Sequence, residues 1–314
     1  MHPAAAAWFG RRTSAAADWP VERVARLRAE AGTRVSVVIP ARDEAASVGA
    51  VVERIRRDLA LDHDVVAEVV VMDSLSTDDT AAVARAAGAG VHSVADVRPD
   101  LGVHGGKGEA LWKSQFVTRG DVCVFVDADL TEWGTHFVTG LLGPLLADPD
   151  VRLVKGFYDR VLDDGGRSST QGGRVTELVA RPLLASRWPQ LGAVVQPLAG
   201  EWAIRRAHFE RLPVPTGYGV EFATLVDTVA AAGLDAVAQV DLGSRAHRHQ
   251  NVHDLGAMAL EILTVADRRS FGEREVVPGT IAQFDRAAPG RWRERVVPVD
   301  ERPPAVSVAG YAPC

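Results

Sequence analysis

The stretch DVCVFVDADL, Asp121–Leu130, sets an apolar run directly against two acids separated by one alanine. Such a run reads as a strand buried on both faces of a parallel sheet. The same design stands upstream. VSVVIP (Val35–Pro40) is a continuous, largely β-branched run, followed by a polar turn and by AASVGAVVERIRRDLA with apolar positions at helical spacing. VAEVVVMD forms the next strand and ends at Asp73. SLSTDDT then supplies a Ser/Thr cap and acids for a first helical turn, and AAVARAAGAG carries that helix to glycines that stop it. VHSVAD, the glycine-rich LGVHGGKG and the helix EALWKSQFVTRG complete the rhythm before DVCVFVDAD. Strands alternating with helices in this way predict an α/β fold with a mostly parallel sheet.

Beyond Val151 the pattern loosens. VRLVKGFYDR reads as a strand, DDGGRSSTQGG as a polar loop, and GRVTELVARPLLA as a helix bent or ended near Pro182. AVVQPLAGEWAIRR reads as strand material, YGVEFATLVDTVAAAG as a helix, LDAVAQVDLG as a strand and HDLGAMALEILTVADRR as an amphipathic helix. The chain therefore divides into an N-terminal arm (1–33, helical from Pro20 to Ala31), an α/β unit (34–150), a second part (151–270) and an extended tail (271–314). There are no internal repeats, and no linker demands independent domains.

Composition narrows the function. The 35 basic and 41 acidic residues leave a charge of -6, which argues against a nucleic-acid binder or a protein that lies on a membrane surface. Hydrophobic residues at 47% and charged residues at 24% are ordinary for a globular protein. No apolar run approaches the roughly 18 residues that span a bilayer. The two cysteines, Cys123 and Cys314, exclude a disulfide framework, and a cytoplasmic setting is expected.

In an open α/β sheet, ligands bind beyond the carboxyl ends of the strands. The polar residues expected there are Arg42, Asp43 and Glu44, then Asp73 and Ser74, then Lys107, then Asp127 and Asp129. Carboxylates two residues apart on an extended segment share a side, so Asp127 and Asp129 can reach one hard cation. Mg²⁺ or Mn²⁺ held there would neutralise diphosphate oxygens as a bond to them breaks. The competing reading is a helix cap for a turn at Thr131–Thr135. In GGKGEALW, backbone amides and Lys107 together suit a phosphate, although a helix-start turn would look the same. The P-loop signature is absent, as are G-x-S-x-G and a G-x-G-x-x-G after a strand. The histidine-rich RAHRHQNVH (Arg245–His253) reads mostly as a solvated turn, with His247 as the candidate metal ligand from a second segment. Trp112 and Trp133 are expected to pack.

VVIPARDE, VVMDSLSTDDT, GKGEALW and FVDADL together resemble the GT-A glycosyltransferases, which combine a nucleotide-binding fold with a metal-binding DxD motif. The likeness narrows with GGRVTELVARPLL, LGAVVQPLAGEWAIRR, GYGVEFATLVDT and GLDAVAQVDLGSRAHRHQ. These look like the glucosyl-3-phosphoglycerate synthases, a retaining family that includes mannosyl-3-phosphoglycerate synthases. The resemblance implies a nucleotide-sugar-binding subdomain at 34–150 and an acceptor-binding part at 151–270. It implies UDP-glucose as donor, a phosphorylated small-molecule acceptor, Mg²⁺ or Mn²⁺, and a homodimer. By the same resemblance Pro40, Ala41, Glu44, Asp73 and Ser74 would line the uridine pocket and Lys107 would contact the nucleotide. Asp127 and Ala128 would meet ribose and diphosphate, and Asp129 and His247 the metal. Gly173, Arg174 and Thr176 would take the acceptor phosphate, joined by Arg245 and His249. Tyr218 and Glu221 would meet sugar hydroxyls, and the Leu198 carbonyl would lie near the anomeric carbon. Arg42, where an apolar residue is expected, and His249, where asparagine is common, depart from the pattern; these bear on the acceptor more than on uridine.

Overall fold

Val35, Val37 and Ile39 pack into one buried apolar cluster and Val38 into another, on opposite faces of the same strand. Residues that alternate so, with both sides apolar, require cover on both faces of their sheet. The computed structural model has that architecture; it describes residues 1–130, 132–162, 173–247, 251–272, 279–285, 287 and 289–313. The strands are β1 (Thr13–Ala15), β2 (Val35–Ala41), β3 (Glu68–Asp73), β4 (Gly90–Ser93), β5 (Val122–Phe125) and β6 (Leu153–Leu162). They continue with β7 (Trp202–Arg205), β8 (Val214–Pro215), β9 (Val237–His247), β10 (Thr280–Phe284), β11 (Trp292–Val296) and β12 (Glu301–Arg302).

The central sheet runs β1-β9-β6-β7-β5-β2-β3-β4. Only β7 is antiparallel to its neighbours, β5 and β6. The chain moves outward from β2 through β3 to β4, then returns to β5 on the other side of β2. That reversal opens a crevice at the carboxyl ends of β2, β3 and β5.

Several expectations are corrected by packing. The segment 1–33 is part of the fold: β1 pairs with β9, and Trp8 is fully buried with its indole N–H donating to the Val237 carbonyl at 2.8 Å. The sheet therefore runs across the divisions drawn at 33 and 150. The tail is no extended strap; β10 and β11 form a hairpin, and β12 pairs with β8. The helix over Arg181–Arg187 runs on through Pro182, directly after a π turn at Thr176–Ala180. There the Arg181 amide reaches back to the Thr176 carbonyl, which loosens the turn ahead of the proline. In AVVQPLAGEWAIRR only Trp202–Arg205 is strand, whereas β9 extends beyond LDAVAQVDLG to His247. Trp112 is fully buried and Trp133 packs at the edge of the core.

Candidate active site

The strand β5 ends at Phe125, and the Val126 amide still bonds the Val38 carbonyl at 3.2 Å. Asp127 therefore lies past the strand and Ala128 and Asp129 in a turn, not on the extended segment expected. Both carboxylates nevertheless meet one group. The Arg245 guanidinium places Nη2 2.6 Å from Asp129 and Nη1 3.3 Å from Asp127. Gly200 lets the backbone approach this point, since a Cβ there would stand 2.4 Å from Asp127 Oδ2.

Lys107 starts the helix Lys107–Ser114 after Gly106, whose φ of 119° only glycine adopts freely. Its ammonium bridges Asp127 at 2.7 Å and Glu221 at 2.9 Å. Burial pulls the Lys107 ammonium down, but the Asp127 and Glu221 charges outweigh it and hold the group well above the ordinary lysine range. Burial likewise pushes Asp127 up, yet Lys107 and Arg245 hold its carboxyl far below the usual range. The lysine loop is backed by the turn before Glu221: Gly108 and Glu109 amides donate to the Gly217 and Thr216 carbonyls at 3.2 and 2.9 Å. A Cβ on Gly108 would fall 1.8 Å from the Pro215 carbonyl oxygen. From the other side, Arg302 of β12 donates to Glu109 at 2.7 and 2.8 Å and lies over the Trp112 ring.

At the opposite end, the turns after β2 and β3 are tied together. The Thr77 amide donates to Asp43 at 2.7 Å, and the Glu44 amide to the Thr80 hydroxyl at 2.8 Å. Asp43 and Leu75 take left-handed backbone angles to make this clasp, with φ of 55° and 61°.

A cavity of about 460 Å³ joins these parts. Its lining includes Pro40, Ala41, Glu44 and Ser74, then Lys107, Asp127, Ala128 and Asp129, and also Leu198, Tyr218, Glu221 and Arg245. Arg42 also lines it, with an exposed side chain. The volume suits a nucleotide-sized ligand. Asp73, Gly173, Arg174 and Thr176 are not among its lining residues. Asp73 is buried at the end of β3 and accepts from the Ser76 amide, while Thr176 is buried and Arg174 exposed. His247 ends β9, but its side chain lies outside the described residues, as does all of His249. Arg245, expected at the acceptor, has its guanidinium on the two aspartates.

The two carboxylates in the cavity lining are hard oxygen donors of the kind Mg²⁺ and Mn²⁺ take, the remaining positions going to phosphate oxygens and water. Among the described residues no three His, Cys, Asp or Glu cluster tightly enough to enclose an ion alone. The donor chemistry of the pair fits a divalent cation shared with a bound diphosphate.

The glycosyl transferase family 2 profile matches residues 36–207, from β2 past β7. This chain belongs to that family. The glycosyltransferase is 46% identical over 260 residues to a glucosyl-3-phosphoglycerate synthase of Mycolicibacterium paratuberculosis, covering 82% of this chain and 78% of the relative. Its fold matches a mannosyl-3-phosphoglycerate synthase of Rubrobacter xylanophilus with a TM-score of 0.87 at 36% identity, over 96% and 99% of the two chains. It also matches the glucosyl-3-phosphoglycerate synthase of Mycobacterium tuberculosis in complex with Mn²⁺, UDP-glucose and phosphoglyceric acid. There the TM-score is 0.81 at 41% identity, over 92% and 95% of the chains.

The site of this glycosyltransferase also contains residues the sequence reading passed over. Tyr158 and Gly200 line the cavity, and Glu201 and Lys155 lie buried beside it. Lys155 donates to the Ala199 carbonyl at 2.8 Å, and burial lowers its ammonium to about 8 despite the nearby Glu221 charge. The available signal was a charged residue set inside apolar sequence: lysine within VRLVKGFYDR and glutamate in GEWAI. Among the described residues no helix is long and apolar enough to cross a membrane.

Proposed function

We propose that this chain is a metal-dependent glucosyltransferase that moves glucose from UDP-glucose to the 2-hydroxyl of 3-phosphoglycerate, with retention at the anomeric carbon. One observation carries the reading. Asp127 and Asp129 converge on a single cation, Arg245, beside a lysine clasped to Glu221, in the lining of one cavity. The tuberculosis enzyme that shares this fold is known with Mn²⁺, UDP-glucose and phosphoglyceric acid together, which supports the same donor and acceptor here.

Asp127 and Asp129, with His247 as the proposed third donor, would hold a divalent cation whose charge stabilises the leaving diphosphate. The Lys107 ammonium adds a second fixed charge aimed at the same phosphates, already oriented by its two carboxylates. Pro40, Ala41, Glu44 and Ser74 would hold uridine, with Asp73 bracing the turn that presents Ser74. Tyr218 and Glu221 would fix the sugar hydroxyls, and the Leu198 carbonyl would lie by the anomeric carbon. As the bond from that carbon to the diphosphate breaks, the acceptor hydroxyl attacks from the same face and passes its proton to the departing phosphate. Glu221 is committed to an ammonium at 2.9 Å, which suits positioning and not the nucleophile of a two-carboxylate glycosidase. Gly173, Arg174 and Thr176 would take the acceptor phosphate at a helix start, with Arg245 and His249 toward its carboxylate. A homodimer in the cytoplasm completes the proposal.

The test incubates purified protein with UDP-glucose, Mg²⁺ or Mn²⁺ and a panel of small acids, and identifies the product by mass and anomer. An α-glucosyl-3-phosphoglycerate is expected. The Rubrobacter likeness makes GDP-mannose the competing donor to include. A mannosyl product, an inverted anomer, or no transfer to 3-phosphoglycerate at millimolar donor would overturn the corresponding part.

A further inference from the structure

Three carboxylates share the Arg245 guanidinium, and they are not equivalent. Asp127 and Asp129 are a quarter exposed and line the cavity, within reach of a cation bound there. Glu201, the residue just before β7, is fully enclosed. Its Oε1 accepts from Arg245 Nη1 at 2.5 Å and its Oε2 from the Tyr158 hydroxyl at 2.9 Å. The Tyr158 oxygen in turn accepts from the same Nη1 at 3.1 Å. The backbone carrying Glu201 is itself pinned, by Lys155 on the Ala199 carbonyl and by the close seat of Gly200 on Asp127.

A divalent cation and Arg245 compete for the same aspartate oxygens. Were Asp129 to turn to a cation, Nη2 would lose its 2.6 Å partner, while Nη1 would keep Glu201 and Tyr158. Held by Nη1, the guanidinium would stay in place, and the N–H released from Asp129 would belong to a residue that lines the cavity.

We propose that Glu201 is a positioning residue: it keeps Arg245 in place when the aspartates are engaged, so that loading the cation exposes an anion-binding N–H for the acceptor carboxylate. This rests on the transferase reading above. It assigns to a buried carboxylate outside the cavity a part in acceptor capture. It also makes acceptor affinity dependent on the cation.

The test compares the wild type, Glu201→Gln, Glu201→Asp and Tyr158→Phe. Glutamine keeps the size and an acceptor oxygen but removes the charge. In Glu201→Gln the KM for 3-phosphoglycerate should rise about 10-fold, the size of one weakened charge-assisted hydrogen bond, while the KM for UDP-glucose stays within about 2-fold. Without that charge the two aspartates are the only carboxylates left on Arg245, and it holds them more tightly. Mn²⁺ binding to the substrate-free protein, read by electron paramagnetic resonance, should therefore weaken several-fold. Glu201→Asp should recover part of both effects. If Glu201→Gln does not fold, Tyr158→Phe carries the test, with a smaller rise in acceptor KM alone. Equal rises in both KM values, or an unchanged acceptor KM and Mn²⁺ affinity, would overturn the assignment while leaving the transferase reading intact. A wild type that transfers no glucose to 3-phosphoglycerate removes both.

Discussion

Replacing Lys107 with methionine keeps most of the side chain and deletes the charge that binds Asp127 to Glu221. The three side chains are 14%, 25% and 5% exposed, so water repays little of what is lost. Removing one partner of a buried ion pair costs about 3–5 kcal/mol. Asp127 keeps Arg245 at 3.3 Å and some solvent, which discounts the loss to about 2–3 kcal/mol here. For a protein of this size that is a fall in Tm of about 3–5 °C. Glu221→Gln should cost less, about 1–2 kcal/mol, because the lysine retains Asp127. The double variant has no unpaired charge at either position, so its loss should fall short of the sum by about 1–3 kcal/mol. Scanning calorimetry of the four proteins gives the cycle. In parallel, UDP release should show Lys107→Met lowered about 100-fold in kcat/KM for UDP-glucose, roughly 3 kcal/mol of transition-state stabilisation. Strictly additive Tm losses would refute the direct clasp. So would a Lys107→Met enzyme within threefold of wild-type kcat/KM, or Glu221→Gln with unchanged turnover.

Gly108→Ala places a methyl 1.8 Å from the Pro215 carbonyl oxygen, a backbone atom that cannot swing aside, so it should destabilise by about 3 kcal/mol or more and displace the lysine loop; a melting temperature unchanged by this substitution would contradict the contact. Burial, aided by the Glu221 charge and opposed by the Tyr218 amide and Arg295, raises the Glu261 carboxyl from an ordinary 4.5 to about 7. A carboxyl raised on folding contributes stability that is present below pH 4.5 and lost as pH climbs through 7, at most about 3 kcal/mol here, and denaturant titrations of Glu261→Gln should lack that slope. Chelation should abolish transfer and Mn²⁺ restore it, whereas Asp129→Asn should need far more Mn²⁺ for half-maximal rate; equal metal dependence in the two proteins would remove Asp129 from the metal site.

How much was legible in the sequence divides along a physical line. Burial on both faces of a parallel sheet leaves a local trace, so VSVVIP, VAEVVVMD and VCVF announced β2, β3 and β5 without any knowledge of the fold. The rule that ligands lie at the carboxyl ends of such strands then placed Glu44, Ser74, Lys107 and Asp127 around one crevice, and all four line the cavity. Weak local signals failed. Thr13–Ala15 is too short to show periodicity, and its strand exists only because β9 is there to pair with it. The β10–β11 hairpin is masked by charged and exposed residues.

The polarity of the crevice was thus written in the sequence, but its wiring was not. Arg245 meets Asp127 and Asp129 across 118 and 116 residues of chain, and Glu201 joins them from the residue just before β7. Ion pairing has no sequence period: a guanidinium selects its carboxylates by distance in space. Only the sheet order, which places β9 beside β6 and β6 beside β7, brings Arg245, Tyr158 and Glu201 together beneath the DAD turn.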